Sequence, residues 1–106
     1  MPRLSSPRRV AVTGVGLVSP LGVGNAENWS ALLAGKSGVG RITRFDCSNF
    51  KVTFAGEISQ FDPVNALGLL DKEVKRMDRF VLFAMAAAGK AIRQSGMDFS
   101  SGDPYR

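Results

Sequence analysis

From Phe80 to Ala88 the sequence runs nine residues without a polar side chain, inside a helical stretch from Arg79 to Gln94. Asp78 precedes that stretch as an N-cap, and Gly96 stops it. A helix that is apolar on nearly every side must be covered by protein over most of its surface. The chain has 106 residues, which allows one domain at most. A domain near this size buries roughly 60–70% of the surface that its unfolded chain exposes. The rest of the sequence offers little with which to cover such a helix, and this shortage limits every other reading.

Val10-Ala11-Val12-Thr13 is a short β-branched, apolar run ended by glycine, and it predicts a strand buried on both faces in an α/β sheet. A glycine-rich loop through Gly14, Gly16, Ser19-Pro20, Gly22 and Gly24 follows. The pattern then predicts a helix from Ala26 to Ala34, with Asn25 as N-cap, Glu27 in the first turn and Gly35 past the end. Trp29, Leu32 and Leu33 supply its buried stripe at i, i+3, i+4. Residues 36–49 read as a Gly-, Ser- and Arg-rich loop with a short extended piece at Val39 to Ile42. Val52 to Ile58 alternates as a strand. Asp62-Pro63 opens a short helix, because the aspartate can cap orphan N–H groups and proline suits the first helical position. Gly68 weakens that helix. After Gly96 the chain turns polar as far as Tyr105-Arg106.

Hydrophobic residues make up 44% of the chain and charged residues 22%, an ordinary globular balance. There is no histidine, so no Ser-His-Asp, Cys-His or His-metal arrangement can be built from these residues alone. One cysteine, Cys47, excludes an internal disulfide and a cysteine-rich zinc site, and fits a reducing compartment. The longest apolar stretch falls well short of the roughly 20 residues of a membrane-spanning helix. The basic start (Arg3, Arg8, Arg9) and the apolar run behind it superficially resemble a signal peptide. Gly14, Gly16 and Pro20 break that pattern, and no clean small-x-small site closes it. A flexible basic tail over residues 1–7, leading into a strand, is the better reading.

Net charge is +5, which raises the question of a polyanionic partner. The charges are spread over Arg3, Arg8, Arg9, Arg41, Arg44, Lys72, Lys75, Arg76 and Arg79, with Glu73 and Asp78 diluting the last group. Nucleic-acid binders interleave aromatic residues with such charges for base stacking, and only Phe80 stands close here. An acidic protein partner fits at least as well. If helical, Lys72, Lys75, Arg76 and Arg79 fall at i, i+3, i+4 and i+7 and form one basic stripe. Charge pattern alone leaves two readings open, a solvated face and a docking patch for an acidic partner.

Two further motifs resolve to structural roles. Gly14-x-Gly16 after a strand invites a dinucleotide-binding reading. The third glycine of that pattern would be Ser19, followed by Pro20, and no acidic residue sits at the expected distance. A structural turn is the reading kept. Cys47 has Asp46 as its neighbour, whose charge would disfavour a thiolate, and no histidine is present to activate it. It reads as an inert packing cysteine.

Taken in order, several segments resemble the N-terminal part of a β-ketoacyl-[acyl-carrier-protein] synthase, the elongating condensing enzyme of the thiolase-like superfamily. They are Val12 to Gly22 (VTGVGLVSPLG), Trp29, Ala31 to Gly40 (ALLAGKSGVG), Phe45-Asp46, Phe54 to Ile58 (FAGEI), Phe61 to Pro63 (FDP) and Lys75 to Phe80 (KRMDRF). The Ala-rich helix to Ser95-Gly96 completes the series. The likeness covers Arg8 to Arg106. It implies a thiolase-like layered α/β/α/β/α fold, of which residues 8–106 would be an incomplete N-terminal segment. It further implies a cytoplasmic homodimer without a cofactor, acting on acyl carrier protein in fatty-acid biosynthesis. In that family a cysteine takes the acyl chain, and two histidines assist decarboxylation of malonyl-carrier protein before a Claisen condensation. None of these has a counterpart here, and Cys47 does not match the nucleophile's motif. No catalytic, cofactor-binding or metal-binding residue is therefore expected, and the segment by itself is expected to be inactive. The one function carried over by position is docking of the acidic carrier protein on Lys72, Lys75 and Arg76. Two alternatives stand beside it: a short carrier-binding or synthase-interaction module, and a small basic nucleic-acid-binding protein.

Overall fold

A computed structural model describes residues 6–100. The basic tail expected over residues 1–7 falls mostly outside the described residues, as does the terminal Tyr105-Arg106. In chain order the elements are β1 (Val18–Ser19), β2 (Gly22–Val23), α1 (Asn25–Leu33), β3 (Val39–Arg41), β4 (Phe54–Gly56), α2 (Pro63–Leu67), α3 (Asp71–Val74) and α4 (Arg79–Ser95). The strands form two separate antiparallel pairs. Val18 faces Val23 and Ser19 faces Gly22 in the first, while Val39, Gly40 and Arg41 face Gly56, Ala55 and Phe54 in the second.

α4 is the spine of the molecule, and both β1 and α2 lie against it. It ends where Gly96 adopts the left-handed conformation at φ 70, a geometry that glycine reaches without the penalty of a Cβ. Asp78 stands at its N-cap position in extended backbone, but its side chain makes no capping bond. Asp62 caps as its sequence predicts: its Oδ1 accepts from the amides of Val64 at 3.1 Å and Asn65 at 3.3 Å. Gly68, at φ 66, ends α2 rather than weakening its middle.

Two expectations are corrected. Val10 to Thr13 is not a strand and has no sheet partner, and Val10 and Val12 are 87% and 80% exposed. Strand formation needs a neighbouring edge to take its N–H and C=O groups, and the described residues present none there. In α1, Asn25 is the first helical residue rather than the cap, which is Gly24 at φ 107. The predicted stripe of Trp29, Leu32 and Leu33 is exposed, and the buried positions are instead Asn28 and Ala31.

Asn28 explains this orientation of α1. Its Nδ2 donates to the carbonyls of Gly22 at 3.0 Å and Gly24 at 2.7 Å, and its Oδ1 accepts from the Ser19 hydroxyl. One buried amide thus ties both strands of the first hairpin to α1, and a polar residue with its bonds satisfied takes the inward position. The glycine-rich segment behind the hairpin crosses α4. Val15 donates its N–H to Gln94 Oε1 at 2.6 Å and accepts at its carbonyl from Asn25 Nδ2 at 2.7 Å.

The buried apolar residues among those described are Ala31, Cys47, Leu82 and Ala86, and no large side chain is fully enclosed. The chain exposes 9125 Å², whereas a compact folded monomer of its mass exposes roughly 5,700 Å². Phe80, on the apolar long helix, is 70% exposed. Among the described residues no helix is long and apolar enough to cross a membrane.

Candidate functional site

The basic residues singled out in the sequence gather at the junction between α3 and α4. α3 is a four-residue helix begun after Leu70, whose amide donates to the Glu73 carboxylate at 3.0 Å. Its turns continue past its formal end, with Lys75 donating to the Asp71 carbonyl at 3.0 Å and Met77 to that of Val74 at 3.1 Å. Lys72, Lys75 and Arg76 therefore share one short helical turn at i, i+3, i+4, and all three are exposed. This places their side chains as neighbours on one surface.

Arg79 leaves that surface, so the four-residue stripe is not one continuous helix face. Asp78, extended at ψ 152, breaks the helical path, and Arg79 begins α4. Its Nη2 donates to the Ile58 carbonyl at 2.8 Å, and its guanidinium carbon lies 5.0 Å from the centre of the Phe83 ring. Phe83 meets Phe61 edge to face at 5.1 Å. Burial, and then the charge of Arg44, pull the Arg79 pKa below its ordinary value.

Arg44 and Arg79 border a cleft of about 340 Å³, with Pro20, Gly56, Glu57, Ile58 and Phe83 completing its wall. Both carboxylate oxygens of Glu57 are engaged: Oε1 accepts from the Thr43 amide at 2.8 Å and Oε2 from the Thr43 hydroxyl at 2.6 Å. These bonds, the hydroxyl's first, hold the Glu57 pKa below its usual value. In the sequence Arg44 is one of several scattered charges and Arg79 is the end of the basic stripe. Pairing of β3 with β4 brings the two together, and no spacing rule connects positions so far apart.

Cys47 is buried, with Sγ 3.9 Å from the Thr53 carbonyl oxygen, a packing position in keeping with the sequence reading. The glycine pair is explained by close approach rather than by a phosphate. A β-carbon on Gly14 would overlap the Ala91 carbonyl oxygen, and one on Gly16 that of Ala87. Among the described residues no three His, Cys, Asp or Glu side chains gather as a metal site.

The match to known proteins runs along almost the whole sequence. Residues 7–104 match the model of the β-ketoacyl synthase N-terminal domain, and the chain belongs to that family. Particular relatives sharpen the placement. The chain is 50% identical over 93 residues to 3-oxoacyl-[acyl-carrier-protein] synthase 2 of Coxiella burnetii, covering 88% of the chain and 22% of that protein. It is 43% identical over 99 residues to putative polyketide β-ketoacyl synthase 1 of Streptomyces halstedii, covering 93% and 23%. The solved ishigamide ketosynthase/chain length factor superposes with a TM-score of 0.75 at 35% identity, over 90% of this chain and 23% of that one. The chain thus spans under a quarter of the length of these relatives. Its fold is that of the N-terminal portion of a thiolase-like ketosynthase.

Proposed function

We propose that this chain is the N-terminal segment of a 3-oxoacyl-[acyl-carrier-protein] synthase, and that Lys72, Lys75 and Arg76 are where it engages the acidic carrier protein. The complete enzyme would condense an acyl thioester with malonyl-carrier protein by a decarboxylative Claisen reaction in fatty-acid biosynthesis. It would work as a cytoplasmic homodimer. The nucleophilic cysteine and the two histidines of that chemistry are not among these residues, and the segment alone is inactive on this reading. Its contribution is recognition. The observation that carries it is the exposed cluster of three cations on one helical turn, directly before a helix that binds the segment into the body of the fold. Exposed charges of this kind mainly raise the rate and specificity of encounter with an oppositely charged partner. The 50% identity to a synthase named for acyl carrier protein supports both the reaction and the partner.

The test is a charge reversal in the full-length enzyme. Lys75→Glu with Arg76→Glu should raise KM for malonyl-carrier protein about tenfold at low salt while changing kcat little. The difference should shrink as salt screens the exposed charges. An unchanged KM at low salt would count against the docking role.

A further inference from the structure

The cleft between Arg44 and Arg79 has a charge pattern that its own walls do not balance. Two guanidinium groups border it, with one carboxylate, Glu57, whose oxygens both receive hydrogen bonds from Thr43. Arg44 also faces Glu57 electrostatically, so the one carboxylate balances one of the two cations and the cleft carries a net charge of about +1. Arg79 is held in place by the Ile58 carbonyl and by the Phe83 ring. That leaves it pre-organised rather than free to swing out to solvent. Its charge is partly desolvated and has Arg44 for a neighbour. Taking such a group further out of water without an anion is costly, so whatever closes over this corner should bring an anion with it.

The cleft also lies close in the chain to the proposed docking turn, although Asp78 separates the two surfaces. Arg79 is three residues beyond Arg76, a separation of at most about 11 Å along the Cα trace. Lys72, Lys75 and Arg76 precede the turn at Asp78, and Arg79 of the cleft follows it.

We propose that Arg44 and Arg79 together form a carboxylate-binding notch, which takes an acidic side chain of the same carrier protein that docks on Lys72, Lys75 and Arg76. Two guanidinium forks suit the planar oxygens of a carboxylate. Of the acceptors in the wall, the Ile58 carbonyl holds one edge of Arg79 and the Glu57 oxygens are bonded to Thr43, and the notch fixes orientation where the outer cations give attraction. This assignment rests on the docking reading, and the experiment separates the two.

Carrier-protein affinity would be titrated against the full-length enzyme at low salt. The variants are Arg44→Gln, Arg44→Glu, Arg44→Lys and the Lys75→Glu, Arg76→Glu pair. Arg44 is the residue to change because it is exposed, whereas replacing Arg79 would also remove its bonds to Ile58 and Phe83. Arg44→Gln should weaken binding about threefold to tenfold and Arg44→Glu more, while Arg44→Lys stays within about twofold, as expected for a charge-assisted contact. If the outer pair weakens binding and every Arg44 variant binds like the wild type, the docking reading stands and the notch is overturned. If all variants, the outer pair included, bind like the wild type, both fail. A loss in Arg44→Lys equal to that in Arg44→Gln would also overturn the notch, since a retained charge should rescue it.

Discussion

Gly14 and Gly16 set how closely the chain can cross α4. Each lies against a backbone carbonyl of the helix, Ala91 for the first and Ala87 for the second. Neither has a positive φ, so the requirement is space rather than backbone handedness. Between them Val15 has both of its backbone groups taken by side chains from α1 and α4, which leaves the segment no room to back away. Gly16→Ala in the full-length protein should therefore destabilise by at least the roughly 1–3 kcal/mol typical of overpacking, because the obstacle is main chain. Gly40→Ala is the control, since a β-carbon there meets nothing within 4 Å. Urea midpoints of the two variants would decide it, and equal midpoints would refute the close-approach account. The same two glycines show why a residue motif can mislead. Strand-Gly-x-Gly fits a pyrophosphate turn and a helix crossing equally well until the neighbouring element is known.

At the scale of elements, the second hairpin carries a titratable clasp. Glu57 follows β4 and takes hydrogen bonds from the hydroxyl and amide of Thr43, just beyond β3, with the Arg44 amide at 3.4 Å. Its pKa is depressed in the fold, so the ionised form is the one the folded chain favours. That stabilisation is present in full above the unfolded value of about 4.3, and it is lost as pH falls through the lower folded value. Wild type should be more stable than Glu57→Gln at pH 7, and the gap in urea midpoint should narrow on acidification below about pH 4.3. A gap that stays constant with pH would mean that the carboxylate charge is not what closes the hairpin. Elements specified by local chemistry were legible in the sequence. Asp62-Pro63, the αL glycine at 96 and the length of α4 all follow from caps and stops within a few residues, whereas Gly68 reads as a mid-helix weakness and is the stop of α2. Elements that depend on a distant partner were not. Val10 to Thr13 has strand composition without a strand beside it, and α1 turns Asn28 inward because Ser19, Gly22 and Gly24 satisfy it. The basic turn was legible by its spacing, whereas the Arg44–Arg79 cleft required the β3–β4 register.

For the molecule as a whole, the apolar surface left uncovered decides what these residues can do by themselves. The long helix buries Leu82 and Ala86 but exposes Phe80, Met85 and Ile92, while Trp29, Leu32 and Leu33 of α1 are open as well. The Cα radius of gyration is 19.0 Å, against about 13 Å for a compact domain of this length. The few buried apolar residues, Ala31, Cys47, Leu82 and Ala86 among those described, cannot offset the chain entropy of ordering a hundred residues, at roughly 1–2 kcal/mol each. The expectation is therefore that this arrangement needs further protein packed against those faces. The 106-residue polypeptide purified alone should bind an apolar dye such as ANS, melt without a cooperative transition and give poorly dispersed amide signals, the marks of a chain without fixed packing. A pure monomer with a sharp thermal transition and dispersed amides would show that the exposed residues need no cover. The same polypeptide mixed with the remainder of the synthase supplies the complementary measurement. If packing is what is missing, dye binding should fall and a cooperative transition should appear on mixing, because burying the apolar faces of α1 and α4 provides the stabilisation the segment lacks.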